Sequence, residues 1–231
     1  MLELFPEGFE ETAVDGRLEA AAYTDAAGVA RARAAFGAVE VASVRSDWAD
    51  RWREFHGRAR VGPLWLGPPW LDPDEGTIPI VIDPGRAFGT GAHPTTRLCL
   101  EFLLELPRTS VVDAGCGSGV VAIAAAKLGF GPVVAVDLDA AAVEAAARNA
   151  ATNEVEVQVL LRDVLVDELP APDVCVANIA LGPAEALMRR RPAPFVVTSG
   201  YLDRERLHPH GYRRTGRRTL EGWAADVFAR Q

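Results

Sequence analysis

Val111-Val112-Asp113-Ala114-Gly115-Cys116-Gly117-Ser118-Gly119, with Val133-Val134-Ala135-Val136-Asp137 after it, decides the fold. Two apolar runs, each ending in an acidic residue, bracket a glycine loop and a helix-like segment. This is the sequence form of a strand–loop–helix–strand unit whose loop lets a small molecule approach the backbone closely. A dinucleotide fingerprint wants glycine at the first, third and sixth loop positions, so that a pyrophosphate can sit on the helix N-terminus. Here the spacing is G-x-G-x-G and the sixth position is Val120. Asp113, directly before the loop, would repel a pyrophosphate but suits a ligand carrying an ammonium group. The loop therefore points to S-adenosylmethionine rather than a dinucleotide.

At 231 residues the chain can hold one full α/β domain plus a small appendage. No apolar run reaches the ~18 residues of a membrane span, and Met1-Leu2-Glu3-Leu4-Phe5-Pro6 lacks the basic start of a secretory signal. Cys99, Cys116 and Cys175 form no C-x-x-C pair and are odd in number, which fits a reduced cytoplasm. Net charge is −8, unevenly spread: nine arginines between Arg189 and Arg218 against Asp203 and Glu205 leave that segment at +7 and the remainder at −15. With Lys127 the sole lysine, arginine is the default cation, and a solvated arginine-rich face is the plain reading. A nucleic-acid or ribosome contact through Arg189–Arg218 is the sharper one.

Gly8–Val14 and Arg17–Thr24 read as strands joined by an Asp15-Gly16 turn. Ala26–Phe36 reads as a helix ended by Gly37, and Val39–Val44 as a further strand. Ser46-Asp47 offers an N-cap for a helix to about Phe55, with Trp48, Trp52 and Phe55 on one packing face. Arg60–Asp74, rich in proline, glycine and tryptophan, suggests an ordered linker. From Ile78 the pattern becomes α/β. A strand at Ile78–Asp83 leads through a glycine-rich loop to a helix at Thr95–Leu106. Strand Ser110–Asp113, helix Gly119–Leu128, strand Val133–Asp137 and helix Ala140–Asn149 follow. Strands at Val155–Leu161, Val174–Asn178 and Phe195–Ser199 alternate with shorter helical pieces, and Tyr212–Leu220 with Trp223–Arg230 forms an antiparallel pair. Repeated β-α units predict a doubly wound, mostly parallel sheet with its ligand at the carboxyl ends of the strands. Three parts are expected: a small α+β substrate-recognition module at 1–45, a helix and Pro/Trp-rich linker at 46–76, and the α/β domain at 77–231.

Three constellations carry chemistry. Asp137 ends the second strand of the unit, where a carboxylate can accept both hydroxyls of a ribose; the N-cap of the next helix falls more naturally to Asp139. Asp113 could hold the loop's amides or a water on the ligand's amino group. The second constellation is Asp83-Pro84-Gly85-Arg86-Ala87-Phe88-Gly89-Thr90-Gly91-Ala92-His93-Pro94-Thr95-Thr96. Its glycines permit close backbone approach, and Thr95 and Thr96 lie where hydroxyls and first-turn amides could meet a carboxylate. His93 is read as a structural hydrogen-bonder rather than a general base. The third is Asn178, which ends a buried strand beside the expected methyl donor. Its side-chain carbonyl can accept a hydrogen bond from an incoming amine and aim the lone pair at the methyl carbon. Neutralising a lysine at pH 7 costs roughly 4–5 kcal/mol, an α-amine roughly 1 kcal/mol, so a lysine needs desolvation by the pocket. No metal site and no nucleophile–base triad is legible, and His208-Pro209-His210 reads as a turn.

With the glycine loop, the Asn178-Ile179 strand end and above all the P-G-x-A-F-G-T-G-x-H-x-T-T string at Pro84–Thr96, the chain resembles the bacterial ribosomal protein L11 methyltransferase family. The resemblance runs from about Phe5 to the C-terminus, with Asp47-Trp48-x-x-x-Trp52 and Pro69-x-x-x-Pro73 matched less closely. It implies a class I, Rossmann-like methyltransferase domain that uses S-adenosylmethionine to methylate amino groups, an N-terminal α-amine or lysine ε-amines, of a large-subunit ribosomal protein. By motif, Thr96, Gly115, Asp137 and Asn178 would bind the donor. Phe88, Gly89, Thr90, Thr95, Asp113, Gly117 and Gly119 join them as expected donor contacts, and Asn178 is the expected catalytic residue. The family's N-terminal domain is a ferredoxin-type βαββαβ unit. Against that pattern the chain begins after the first strand and most of the first helix, and its tail after Ser199 is short, so a truncated ferredoxin-like module is expected. Two other functions compete: a base N-methyltransferase acting on RNA or DNA, and a non-catalytic donor- or ribosome-binding protein. Base methyltransferases usually follow the asparagine with Pro-Pro-aromatic for stacking a flipped base, whereas Ile179-Ala180-Leu181 stands here.

Overall fold

The computed structural model describes residues 10–14, 17–21, 26–41, 57–83 and 91–231. The chain divides into two compact units, Met1–Arg51 and Trp52–Gln231. In the first, β1 (Glu10–Val14) pairs antiparallel with β2 (Arg17–Ala21), and α1 (Ala26–Phe36) follows. Gly37 ends α1 at φ 80°, its N–H donating to the Arg33 carbonyl at 2.9 Å. The strand expected at Val39–Val44 does not form over residues 38–41, which have no neighbouring strand to pair with among the described residues. Its remainder lies outside the described residues, as do the Asp15-Gly16 turn and the helix expected from Ser46 to Phe55.

The second unit opens with a three-stranded sheet of β3 (Ala59–Val61), β4 (Leu64–Gly67) and β5 (Ile78–Val81), in the order β3-β4-β5. Much of the expected linker is therefore sheet. Leu64, Leu66, Ile80 and Ile82 are buried in the same core as the main helices, and that burial holds the segment down. β5 pairs in parallel with β4 and takes no part in the large sheet it was expected to start. Next come α2 (Pro94–Glu105), β6 (Val111–Ala114), α3 (Val120–Lys127), β7 (Val133–Asp137), α4 (Ala140–Thr152) and β8 (Gln158–Leu161). β9 (Val174–Asn178), α5 (Leu181–Arg189), β10 (Phe195–Leu202), β11 (Tyr212–Leu220) and β12 (Trp223–Arg230) complete the unit.

Seven strands form one sheet in the order β11-β12-β10-β9-β6-β7-β8. The run β10-β9-β6-β7-β8 is parallel throughout, and β12 runs antiparallel to both of its neighbours. Alternation along each apolar run explains why both faces are covered. Val111, Val133, Ala135, Val174 and Val176 pack on the side of α2, α3 and α4, while Val112, Ala114, Val134, Val136 and Cys175 pack on the side of α5. β8 starts three residues later than expected, and β10 runs on past a bulge at Gly200. Strand order reverses between β6 and β9, so the crevice for a ligand opens where those two strands end.

On the α5 side, the links from β8 to β9 and from β10 to β11 contain no helix. Arginines tie them down instead. Arg190 donates to the carbonyls of Val164 at 2.7 Å and Asp167 at 2.6 Å. Arg217 donates to those of Asp203 and Glu205, both at 2.8 Å, and to Oδ2 of fully buried Asp226 at 2.7 Å.

Candidate functional site at the carboxyl ends of the sheet

The glycine loop turns sharply out of β6. Gly115, Gly117 and Gly119 all have positive φ, at 79°, 52° and 80°. The amides of Gly115 and Cys116 both donate to the Val136 carbonyl, at 2.8 and 3.0 Å, which holds the loop against the end of β7. A Cβ on Gly115 would overlap the Ile179 side chain, and one on Gly119 would lie 3.0 Å from Ala146 Cβ. The glycines thus let the loop pass between the Asn178-Ile179 strand end and α4. From α4, Asn149 donates to the Ser118 carbonyl at 2.9 Å and accepts from the Asp83 amide at 3.1 Å. Sequence reading took Asn149 only as a helix end, yet it joins the glycine loop to the segment where the second constellation begins.

Asp137 lies half-buried at the end of β7. Its Oδ2 accepts from the Gly117 amide at 2.9 Å and its Oδ1 from the Asp139 amide at 3.0 Å. The N-cap of α4 falls to Asp139, which accepts from the Ala141 amide at 2.9 Å. Two amides fix the plane of the Asp137 carboxylate and leave it further lone pairs. Beside it Leu138 is 70% exposed, an apolar surface at a polar strand end that sequence reading passed over.

Asp113 is fully buried. Its Oδ2 accepts from the Ala122 amide of α3 at 3.1 Å, so it anchors the helix that follows the loop rather than the loop's own amides. Burial pushes its carboxyl up to about 7, the Ala122 amide opposing and the Asp137 charge adding to the rise. Burial likewise raises all three thiols, Cys175 to about 12, so none is a nucleophile near neutral pH.

Across the crevice, His93 caps α2, its Nδ1 accepting from the Thr95 amide at 3.4 Å and lying 2.8 Å from Thr95 Oγ1. Desolvation lowers its pKa, against the opposing pull of the Glu221 carboxylate. A neutral ring with Nδ1 engaged is a cap, as the sequence reading held. Thr95 and Thr96 are both buried, and Thr96 Oγ1 accepts from Asn178 Nδ2 at 3.2 Å. That bond fixes the amide and leaves the Asn178 carbonyl oxygen as the group available to accept.

A cleft of about 280 Å³ lies here, lined by His93, Thr95, Asn178, Ile179, Gly200 and Trp223 among others. Trp223 was read only as a strand residue, and Gly200 lay just past the strand expected at Phe195–Ser199. The His93 ring meets Trp223 edge-on at 5.0 Å between centroids. Gly200 has φ 99°, and a Cβ there would overlap the backbone of Ile179, so only glycine lets β10 close against this strand end. The structure thus brings Thr95, Thr96 and Asn178 together on one side and Asp113, Gly115, Gly117, Gly119 and Asp137 on the other. Phe88, Gly89 and Thr90 lie outside the described residues. Among the described residues no helix is long and apolar enough to cross a membrane.

The sequence pattern of the family described as ribosomal protein L11 methyltransferase (PrmA) matches residues 10–204. A ribosomal protein L11 methyltransferase of Haemophilus influenzae (strain PittEE) is 48% identical over 147 residues, covering 61% of this chain and 50% of that protein. One from Escherichia coli (strain 55989 / EAEC) is 44% identical with the same coverage. The crystal structure of a ribosomal protein L11 methylase from Lactobacillus delbrueckii subsp. bulgaricus is similar with a TM-score of 0.68 and 26% identity, covering 75% of this chain and 98% of that one. The chain spans about half the length of the curated relatives it matches. Fold, glycine loop and matched span agree, and the chain belongs to the ribosomal protein L11 methyltransferase family.

Proposed function

We propose that this protein transfers a methyl group from S-adenosylmethionine to amino groups of ribosomal protein L11, and so acts in the cytoplasm. The observation that carries the reading is the pairing, across one crevice, of a carboxylate suited to a ribose with an oriented asparagine beside an apolar cleft. The residues present fit the donor. Asp137, held in plane by two amides, has lone pairs left for vicinal hydroxyls, and Leu138 offers its exposed face to a flat base. Asp113 would face an ammonium group with negative charge once ionised, above about pH 7, and the turned backbone at Gly115 and Gly117 allows close approach. When bound, the donor supplies an electrophilic methyl carbon on a sulfonium.

The chain's own residues do the rest by orientation. Thr96 holds the Asn178 amide so that its carbonyl oxygen accepts an N–H of the incoming amine and aims the lone pair. The nearly apolar cleft disfavours the ammonium form, so the amine enters the reaction neutral. With the donor held by Asp137 and the glycine loop, Asn178 would keep the amine nitrogen facing its methyl carbon, and the proton released on transfer would leave to solvent.

A second reading, methylation of a nucleic-acid base, draws on Trp223, which puts an aromatic ring in the cleft that the residues after Asn178 lack. An RNA contact through Arg189–Arg218 has less support, because Arg190, Arg206, Arg217 and Arg218 are engaged with carbonyls or carboxylates of the chain itself. One experiment separates these readings: methyl transfer from labelled S-adenosylmethionine to purified L11 and, separately, to ribosomal RNA. Label is expected in L11, reduced ~10²-fold by Asn178→Ala. Label in RNA alone would establish base methylation instead. Donor binding without transfer to either would mean a non-catalytic protein.

A further inference from the structure

The hairpin between β11 and β12 brings Trp223 to the wall of the cleft. Leu220 pairs with Trp223, and the two residues between them, Glu221 and Gly222, have φ 52° and 80°. Positive φ at both central positions makes this a type I′ turn, whose first central position favours Asn, Asp or Gly. Glutamate there costs on the order of 1–2 kcal/mol. Nothing in the packing repays that cost. The Glu221 side chain is 65% exposed, and its ion pair with Arg97 is 3.7 Å long, beyond hydrogen-bond reach. A residue held in strain with one long ion pair as its stabilising contact invites a functional reading.

Its surroundings say which function. Trp223, two residues on, lines the cleft, and His93, on the facing wall, feels the Glu221 charge. Among the described residues, none lining the cleft carries a carboxylate. An acceptor amine, by contrast, arrives from water as an ammonium ion. We propose that Glu221 is a substrate-positioning residue: its carboxylate, presented by the β11–β12 turn at the cleft mouth, draws the protonated acceptor amine in along Trp223 towards Asn178. This rests on the amine-methyltransferase reading above. Past the rim no described residue of the cleft offers a negative group to hold the charge, so the amine sheds its proton to water before it meets the methyl carbon.

The test is the kinetics of L11 methylation by the full chain and its variants as a function of salt. Glu221→Gln keeps the strain and removes the charge. It is expected to raise KM for L11 ~5-fold at low ionic strength through a rim electrostatic effect, with kcat bearing little of the loss and the difference gone near 0.5 M salt. Glu221→Asp should restore most of the affinity. Glu221→Gly should raise KM as the glutamine does while raising Tm, because glycine relieves the turn; a structural role for Glu221 would lower Tm instead. A KM for Glu221→Gln within 1.5-fold of the parent, or a rise that persists at high salt, would overturn the proposal. Absence of any transfer to L11 by the parent chain would overturn the amine reading, and this role with it.

Discussion

A carboxyl group with no water around it, such as Asp113, makes the fold answer to pH. Its carboxyl is raised to about 7 in the folded chain, against an ordinary value near 3.8. The folded form therefore holds the proton that the unfolded chain releases between those values. Stability from this group is complete below about pH 4, falls as pH rises towards 7, and is then lost to the extent of about 4 kcal/mol. Asp113→Asn keeps an oxygen for the Ala122 amide and removes the ionisation. Without donor, the Tm advantage of Asp113→Asn over the parent should grow from pH 4 to pH 7; a flat difference would argue against a buried, rising carboxyl. The same variant should bind S-adenosylmethionine less well above about pH 7, where the parent carboxyl is ionised and can face the donor's ammonium. Much of this residue-level detail was legible because it is local. Asp139 as a cap, Asp137 as a strand-end carboxylate and the glycines of the loop are all set by neighbours a few positions away. Trp223 and Asn149 escaped because their roles depend on elements folded against them from far along the chain.

At the scale of elements, two loops stand where crossover helices would, and guanidinium groups hold each: Arg162 and Arg190 the first, Arg206 and Arg217 the second. A helix satisfies its own carbonyls, whereas a loop leaves them for something else to satisfy. Arg190 takes three in the β8–β9 link and Arg217 takes two in the β10–β11 link. Arg217 also neutralises Asp226, to which Tyr201 donates at 2.9 Å. Removing it with Arg217→Ala leaves buried Asp226 only its 3.6 Å ion pair with Arg214 and should cost about 3 kcal/mol in urea unfolding. Pairing it with Asp226→Asn should recover part of that loss; a cost under 1 kcal/mol would deny the pinning role. From sequence, these arginines read as a solvated face or a nucleic-acid patch. Carbonyl partners have no residue identity, so nothing in the sequence could disclose them.

For the whole molecule, the apolar runs set the large parallel sheet, because strands buried on both faces read as continuous hydrophobic segments. Sheet membership was less legible. β5 looks like its neighbours in composition but pairs with β4, a choice made by where the Pro/Trp-rich segment folds back. The two faces are also unequal: three helices and a small sheet cover one, while a single helix and two pinned loops cover the other. That inequality has a consequence in alkali. A guanidinium keeps its proton far above pH 12, whereas a lysine ammonium gives it up near 10.4. The thinly covered face should therefore hold its loops in base for as long as the rest of the fold survives. Exchanging Arg190 and Arg217 for lysine would move its failure down to about pH 10–11, visible as near-ultraviolet circular dichroism lost well before the parent's.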